Sequence, residues 1–201
     1  MKNNRLTITL LTVIAVLLAG ILGLTLFKDG NSMVENMGHS MDSHDSMHSD
    51  SSDSKFTGAD TMFLQMMIPH HQQAIDISEL ALQKSKNAEL LDLATVIIRD
   101  QKSEITQMKA WLDEAGASED MGHSMQGMGG MLNDEDLAAL EKATGRDFDT
   151  LWLKGMIAHH DGAIHMSEMI KDASNLEIKA FGEKIVQDQS TQITQMKKML
   201  A

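Results

Sequence analysis

The chain has no cysteine, no tyrosine and a single proline. Without cysteine there are no disulfides, no thiolate zinc sites, no Cys-ligated iron–sulfur clusters and no cysteine nucleophile. Aromatics are scarce, at five Phe and two Trp. Together with the lack of turn prolines, this argues against an all-β sandwich. Positive charge is also short: 17 Lys and Arg face 29 Asp and Glu, a formal net charge of −12. A nucleic-acid binder needs a basic face to neutralise phosphates, so that class is disfavoured. What is plentiful is methionine, 18 residues, accompanied by nine histidines in a chain of 201. Thioether and imidazole donors without thiolate form a soft-to-borderline ligand set. The length allows one domain or two small ones.

The N-terminus reads as a membrane signal. Leu6 to Phe27 carries no charge, and Lys2 and Arg5 precede it. A bilayer core needs about 20 apolar residues in a helix, so this run predicts a transmembrane helix. A cleavable signal has a shorter apolar region followed by a small-residue site. Ala15 and Ala19 are small, but no A-x-A site follows. A retained anchor (1–27) is therefore favoured over a cleaved signal. The preceding positive charges keep the N-terminus in the cytoplasm and place the rest in the periplasm or outside the cell. Residues 28–57 are rich in Ser, Asp, His and Met, with little to bury, and read as a disordered tether.

The remainder, 58–201, repeats itself. Asp60-Thr61, Ile68, His70-His71, Ala74-Ile75 and Ser78-Glu79 return 89 residues later as Asp149-Thr150, Ile157, His159-His160, Ala163-Ile164 and Ser167-Glu168. Asp100-Gln101 and Ile105 to Lys109 return 88 residues later as Asp188-Gln189 and Ile193 to Lys197. Two copies of this period form a duplication rather than a solenoid. In the first copy Phe63, Met67, His70, Ala74, Ile77 and Ala81 make one apolar stripe at helical spacing. Asn87 is placed to cap a second helix through Leu90, Ala94, Ile97, Gln101, Ile105, Met108 and Leu112, and Gly116 to end it. The second copy reads as a short helix at 134–142 capped by Asn133, a long helix from about 147 to 171, and a last helix capped by Ser174 or Asn175. Two hairpins with apolar stripes predict an all-α fold, a four-helix bundle. Between the hairpins, 117–132 has the Gly- and Met-rich composition of a flexible loop.

One pentapeptide occurs twice outside the repeat: Met37-Gly38-His39-Ser40-Met41 in the tether and Met121-Gly122-His123-Ser124-Met125 in the loop. Met33, His44, Met47 and His48 flank the first; Met128 and Met131 follow the second. Such thioether and imidazole donors suit Cu(I), then Ag(I) as its mimic, then Cu(II) through the histidines. Mg²⁺ and Ca²⁺ want oxygen. Methionine usually fills cores, but the neighbours of these are Gly, Ser, Asp and His.

Each copy also holds a His-His pair with methionines about one turn before it: Met66 and Met67 before His70 and His71, Met156 before His159 and His160. Residues i, i+3 and i+4 share a helix face, so each copy can present Met and His to one point. His165, Met166 and Met169 extend the second copy, where the first has Asp76, Ile77 and Leu80, so the C-terminal hairpin is expected to hold the better site. The competing reading is structural: buried histidines bonded to groups such as Gln101, Glu104 or Gln189. A mixed case has one His of each pair structural and the other a ligand. Pro69, inside the first helix, predicts a kink, either one the helix simply tolerates or one that opens a carbonyl near His70. No His has Glu three residues earlier, so the Glu-x-x-His signature of di-iron bundles is missing.

The segments Met66 to Ile75 and Met156 to Ile164, with the later Asp-Gln and Gln-Met-Lys segments, resemble the domain of unknown function family 305. The resemblance spans about Asp60 to Leu200 outside the loop. It implies a ferritin-like four-helix bundle and, for some members, exported copper-binding proteins. The family pattern covers His70, His71, His159 and His160; the two pentapeptides stand outside it. Ala158 replaces the family's usual proline in the second copy.

The reading is an exported copper-binding protein that buffers or delivers Cu(I) in copper tolerance. The membrane would hold it through the N-terminal helix, and a copper exporter or chaperone would be its transfer partner. No catalytic nucleophile or acid–base pair is visible. The alternatives are a ferritin-like oxidase of Cu(I) or Fe(II), and a metal-free periplasmic interaction module.

Overall fold

The computed structural model describes residues 55–120 and 128–201. The expected anchor, most of the tether and both pentapeptides lie outside the described residues. Among the described residues no helix is long and apolar enough to cross a membrane, and all regular structure is helical. The elements are α1 (Gly58–Lys84), α2 (Ala88–Ala115), α3 (Asp134–Lys142), α4 (Gly145–Ser167), a 3-10 turn (Glu168–Ile170) and α5 (Leu176–Leu200).

Local chemistry sets the helix ends. Thr57 closes a capping box with Asp60 at the start of α1, and Asn133 does the same with Asp136 at α3. Asn87 and Asn175 occupy matching places at α2 and α5, each side chain accepting from two backbone amides. Gly116 ends α2 in the left-handed region at φ 65°, where a side chain would be strained. The single long helix expected from 147 to 171 stops at Ser167. Its last turn tightens to 3-10, a common ending that satisfies terminal carbonyls at shorter range. α1 runs unbroken through Pro69.

Each copy forms a hairpin, α1 with α2 and α4 with α5, and the hairpins pack through α1 against α4. Their stripes bury two apolar clusters. One holds Phe63, Leu64 and Met67 of α1, Met108 and Leu112 of α2, Met166 of α4 and Ile185 of α5, with Trp111 packed edge-on against Phe181 at 5.1 Å. The other holds Ala74 and Ile77 of α1, Leu90 and Ile97 of α2, and Phe148, Trp152 and Met156 of α4, with Met196 of α5. Trp152 donates its indole N–H to the Ile77 carbonyl at 3.0 Å, satisfying its one polar atom inside the core.

Two segments expected to lack order are in part built into the bundle. Phe56, the one aromatic of the tether, is buried against the first cluster, and Lys55 pairs with Glu114 and Glu177. A large ring gave that end of the tether apolar area to bury. In the inter-hairpin loop, Met128 packs on the same cluster and Leu132 on the other.

Both clusters are built from apolar side chains whose burial needs no ligand. Metal-free protein is therefore expected to keep a helical far-UV spectrum after exhaustive chelation; a random-coil spectrum would contradict this. Asn87→Ala and Asn175→Ala should each cost about 1 kcal/mol. Thermal unfolding followed by circular dichroism should record a drop of roughly 2–5 °C for each.

Candidate metal centre

Between the two apolar clusters lies a polar layer. Along α1 the first cluster ends at Ile68, the second begins at Ala74, and His70 and His71 fall between. α4 runs the other way, from the second cluster at Met156 through His159 and His160 to the first at Ala163. α2 contributes Gln101 and Glu104, and α5 contributes Gln189 and Gln192. All four histidines are 0% exposed.

The duplication is visible atom by atom. His70 and His159 meet on the α1–α4 contact, with ring centroids 3.7 Å apart and planes tilted by 36°. Each neighbouring histidine turns to its own hairpin partner. His71 Nε2–H donates to Glu104 Oε2 at 2.9 Å, and His160 Nε2–H donates to Gln192 Oε1 at 2.6 Å. Glu104 stands where its repeat has Gln192, so one half of the layer carries a carboxylate and the other an amide. Lys184 of α5 binds the second Glu104 oxygen at 2.9 Å and Asp188 at 2.7 Å. Burial alone would raise the Glu104 carboxyl, but the His71 and Lys184 contacts bring it below the usual range. Burial alone would lower the Lys184 ammonium, but its bonds to Asp188 and Glu104 carry it above its ordinary value.

His159 Nε2–H donates to the His70 backbone carbonyl at 3.0 Å. That carbonyl is His70's own, not the Gln65 oxygen that Pro69 deprives of its helical donor. The bond fixes the tautomer and leaves His159 Nδ1 as a bare lone pair. Neither His70 ring nitrogen has a well-formed partner, and the Nδ1 atoms of His71, His159 and His160 have none. Burial pushes His70 down to about 3, helped by neighbouring His71 and opposed by the Gly129 backbone. Burial pushes His160 down to about 4, against the Gln192 bond. His159 is driven well below its ordinary value by burial and by the other three rings. At neutral pH these three imidazoles are uncharged, the form that ligates metals.

The layer separates the expected helical ligands. His71 and His160 bond through Nε2 to Glu104 and Gln192 rather than to Gln101 or Gln189. Met67 and Met156 are fully buried in opposite clusters. Met66 is partly buried against the first. The extended C-terminal set does not gather on one face: Met166 is in the core, whereas His165 and Met169 are exposed. Helical rotation turns these positions to different sides. Among the described residues no three His, Asp or Glu side chains are arranged to hold a metal ion.

Lys184 and the segment 128–132 were not anticipated from sequence. Gln73 grips this segment through both amide atoms, donating to the Leu132 carbonyl at 2.9 Å and accepting from its N–H at 2.8 Å. Gly129 and Gly130 lie on α4. A Cβ on Gly162 would collide with the Gly129 carbonyl, and one on Gly130 would come within 2.5 Å of the Ala158 carbonyl. The signal was present in the repeat: Gly155, Ala158 and Gly162 stand where the first copy has Met66, Pro69 and Gln73.

Residues 60–200 match the family model for the domain of unknown function DUF305, and the chain belongs to that family. Solved structures of the family share the fold. One is a DUF305 fragment from Deinococcus radiodurans, 29% identical with a TM-score of 0.67, covering 72% of this chain and 96% of that one. A DUF305 protein from Streptomyces coelicolor, named as secreted, is 27% identical with a TM-score of 0.66, covering 71% and 90%. CopM, solved with Cu(I) bound, is 36% identical with a TM-score of 0.58, covering 72% of this chain and 95% of CopM. CopM has also been solved with Cu(II), with Ag and in the apo form. An uncharacterised mimivirus protein, L153 of Acanthamoeba polyphaga mimivirus, is 42% identical over 55 residues, and the match spans 36% of its length.

The depressed imidazoles make a pH prediction. Unfolded histidines take up protons below about 6.5, whereas these rings stay neutral when folded until about pH 3 for His70 and 4 for His160. Stability is therefore complete above pH 6.5 and declines as pH falls towards 4. Each such ring withdraws roughly 1 kcal/mol per pH unit. The melting temperature of metal-free protein should fall by about 10 °C or more between pH 7.5 and 5. An unchanged value would mean that these rings protonate freely in the fold.

Proposed function

We propose that this protein binds copper outside the cytoplasm and buffers or delivers it as Cu(I). The observation that carries the reading is the 36% identity to CopM across 95% of that protein, which was solved with copper in both oxidation states. The Met-rich, cysteine-free composition supports it, because thioether and neutral imidazole favour Cu(I) over hard cations. The likeness to a Streptomyces coelicolor protein named as secreted supports an extracytoplasmic location, and the 6–27 run would anchor it there.

In this reading the bundle is a scaffold. Its capture sites are Met37, His39, Met41, His44, Met47 and His48 in the tether, with Met121, His123, Met125 and Met128 in the loop. The helical histidines form an interior site. Copper would pass on by ligand exchange among thioethers, to an exporter or chaperone. An oxidase reading has little support, since Glu104 is the one carboxylate of the polar layer and is already bound by His71 and Lys184.

The test is a competition titration of full-length protein against a chromogenic Cu(I) chelator. More than one equivalent of Cu(I) is expected per chain. Replacing Met37, Met41, Met121 and Met125 with Leu keeps apolar volume and removes sulfur, and should lower the stoichiometry. One equivalent or none in the wild type, or no change in the variant, would overturn the reading.

A further inference from the structure

The polar layer holds more hydrogen-bond acceptors than the protein supplies donors for. His159 and His160 are neutral, and each spends its one N–H through Nε2, on the His70 carbonyl and on Gln192 Oε1. Nδ1 of each ring is then an acceptor, and neither has a partner. Gln101 Oε1 and both amide atoms of Gln189 are also buried without a partner, as is His71 Nδ1. Gln101 and Gln189 hold equivalent places in the repeat, on α2 and α5, and each is 3% exposed. Among the described residues, Ser78 Oγ is the only buried unpartnered side-chain polar atom outside this layer.

The remaining groups of the layer are committed. The Gly129 backbone approaches His70, and Glu104 is bound by His71 and Lys184. His159 Nδ1, His160 Nδ1, Gln101 Oε1 and Gln189 Oε1 are therefore set against a single uncommitted donor group, the Gln189 NH2. Native interiors leave few such atoms unpaired, because each has given up its bonds to solvent. In metal-free protein the guest that satisfies them must be small, rich in donors and uncharged. A cation such as ammonium would need a counter-charge, and the one carboxylate of the layer is already neutralised by Lys184. Water meets all three conditions, and a buried water typically makes about three hydrogen bonds.

We propose that the polar layer of the metal-free protein is a binding site for a small cluster of structural water, about two molecules, held by His159 Nδ1, His160 Nδ1 and the amides of Gln101 and Gln189. The cluster completes the hydrogen bonding of the layer and bridges the two copies at their equivalent glutamines. The inference stands apart from the copper reading: an ion entering the layer would displace this water.

The test uses full-length protein stripped of metal by exhaustive chelation and isotopically labelled in histidine. Water-selected NOE and ROE spectra should show cross-peaks of opposite sign, the mark of held water, at the Hε1 protons of His159 and His160, which adjoin Nδ1. Gln189→Met keeps the side-chain length and removes both amide atoms. It should weaken these cross-peaks at least twofold, with circular dichroism reporting that the helices persist; Gln101→Met is the second variant should the first unfold. Ser78→Ala removes the unpartnered hydroxyl outside the layer and should leave the cross-peaks unchanged. Folded wild type without the cross-peaks, or glutamine variants that keep their full intensity, would overturn the inference. The copper reading is decided separately, by the chelator titration, so either can fail alone.

Discussion

The crossing of α1 and α4 at His70 and His159 is the contact on which the rest of the structure depends. Two buried imidazoles meet there at van der Waals distance, and one donates to the other's backbone. That bond fixes the axial register of the two hairpins. Sliding one helix along the other by a turn would strand four buried rings in the apolar clusters above and below. An unpaired buried polar group costs a few kcal/mol. Apolar clusters of Leu, Ile and Met are more forgiving of such shifts, so the polar layer specifies the alignment that the clusters then stabilise.

The layer is tied together both within each copy and between the copies, by the His159 bond to the His70 carbonyl and the Lys184–Glu104 pair. His71 reaches across its hairpin to Glu104, and His160 across its own to Gln192. The exchange of Glu for Gln between copies leaves one carboxylate rather than two in a space bounded by four imidazoles. Lys184 stabilises that charge from the edge of the layer. A second buried carboxylate would have needed a second cation. The asymmetry also limits the layer to a single carboxylate, Glu104, beside neutral amides and imidazoles.

A second asymmetry divides the labour of the repeats. The first copy carries Pro69 and Gln73 where the second carries Ala158 and Gly162. Bulk on α1 and its absence on α4 let the inter-hairpin segment lie down between them. A duplicated hairpin thereby acquires a front, covered by that segment, and a back, formed by α2 and α5.

Much of this was legible in the sequence. Period and caps are local properties: the Asn87, Asn133 and Asn175 caps, the Gly116 stop and the apolar stripes each follow from chemistry within a few residues. The repeat identified the paired histidines and the Glu104–Gln192 mismatch without any coordinates. The Lys184 contact to Glu104 and the Gln73 clamp on Leu132 were not legible, because each joins residues more than 50 positions apart. Met166 and His165 looked alike as soft donors, although helical rotation sends one into the core and leaves the other exposed. The sequence by itself determined that the ordered part is a pair of related helical hairpins with soft donors and no thiolate. Only the tertiary structure decided which imidazoles keep a free lone pair, since that depends on which hydrogen-bond partner lies within about 3 Å after the hairpins dock.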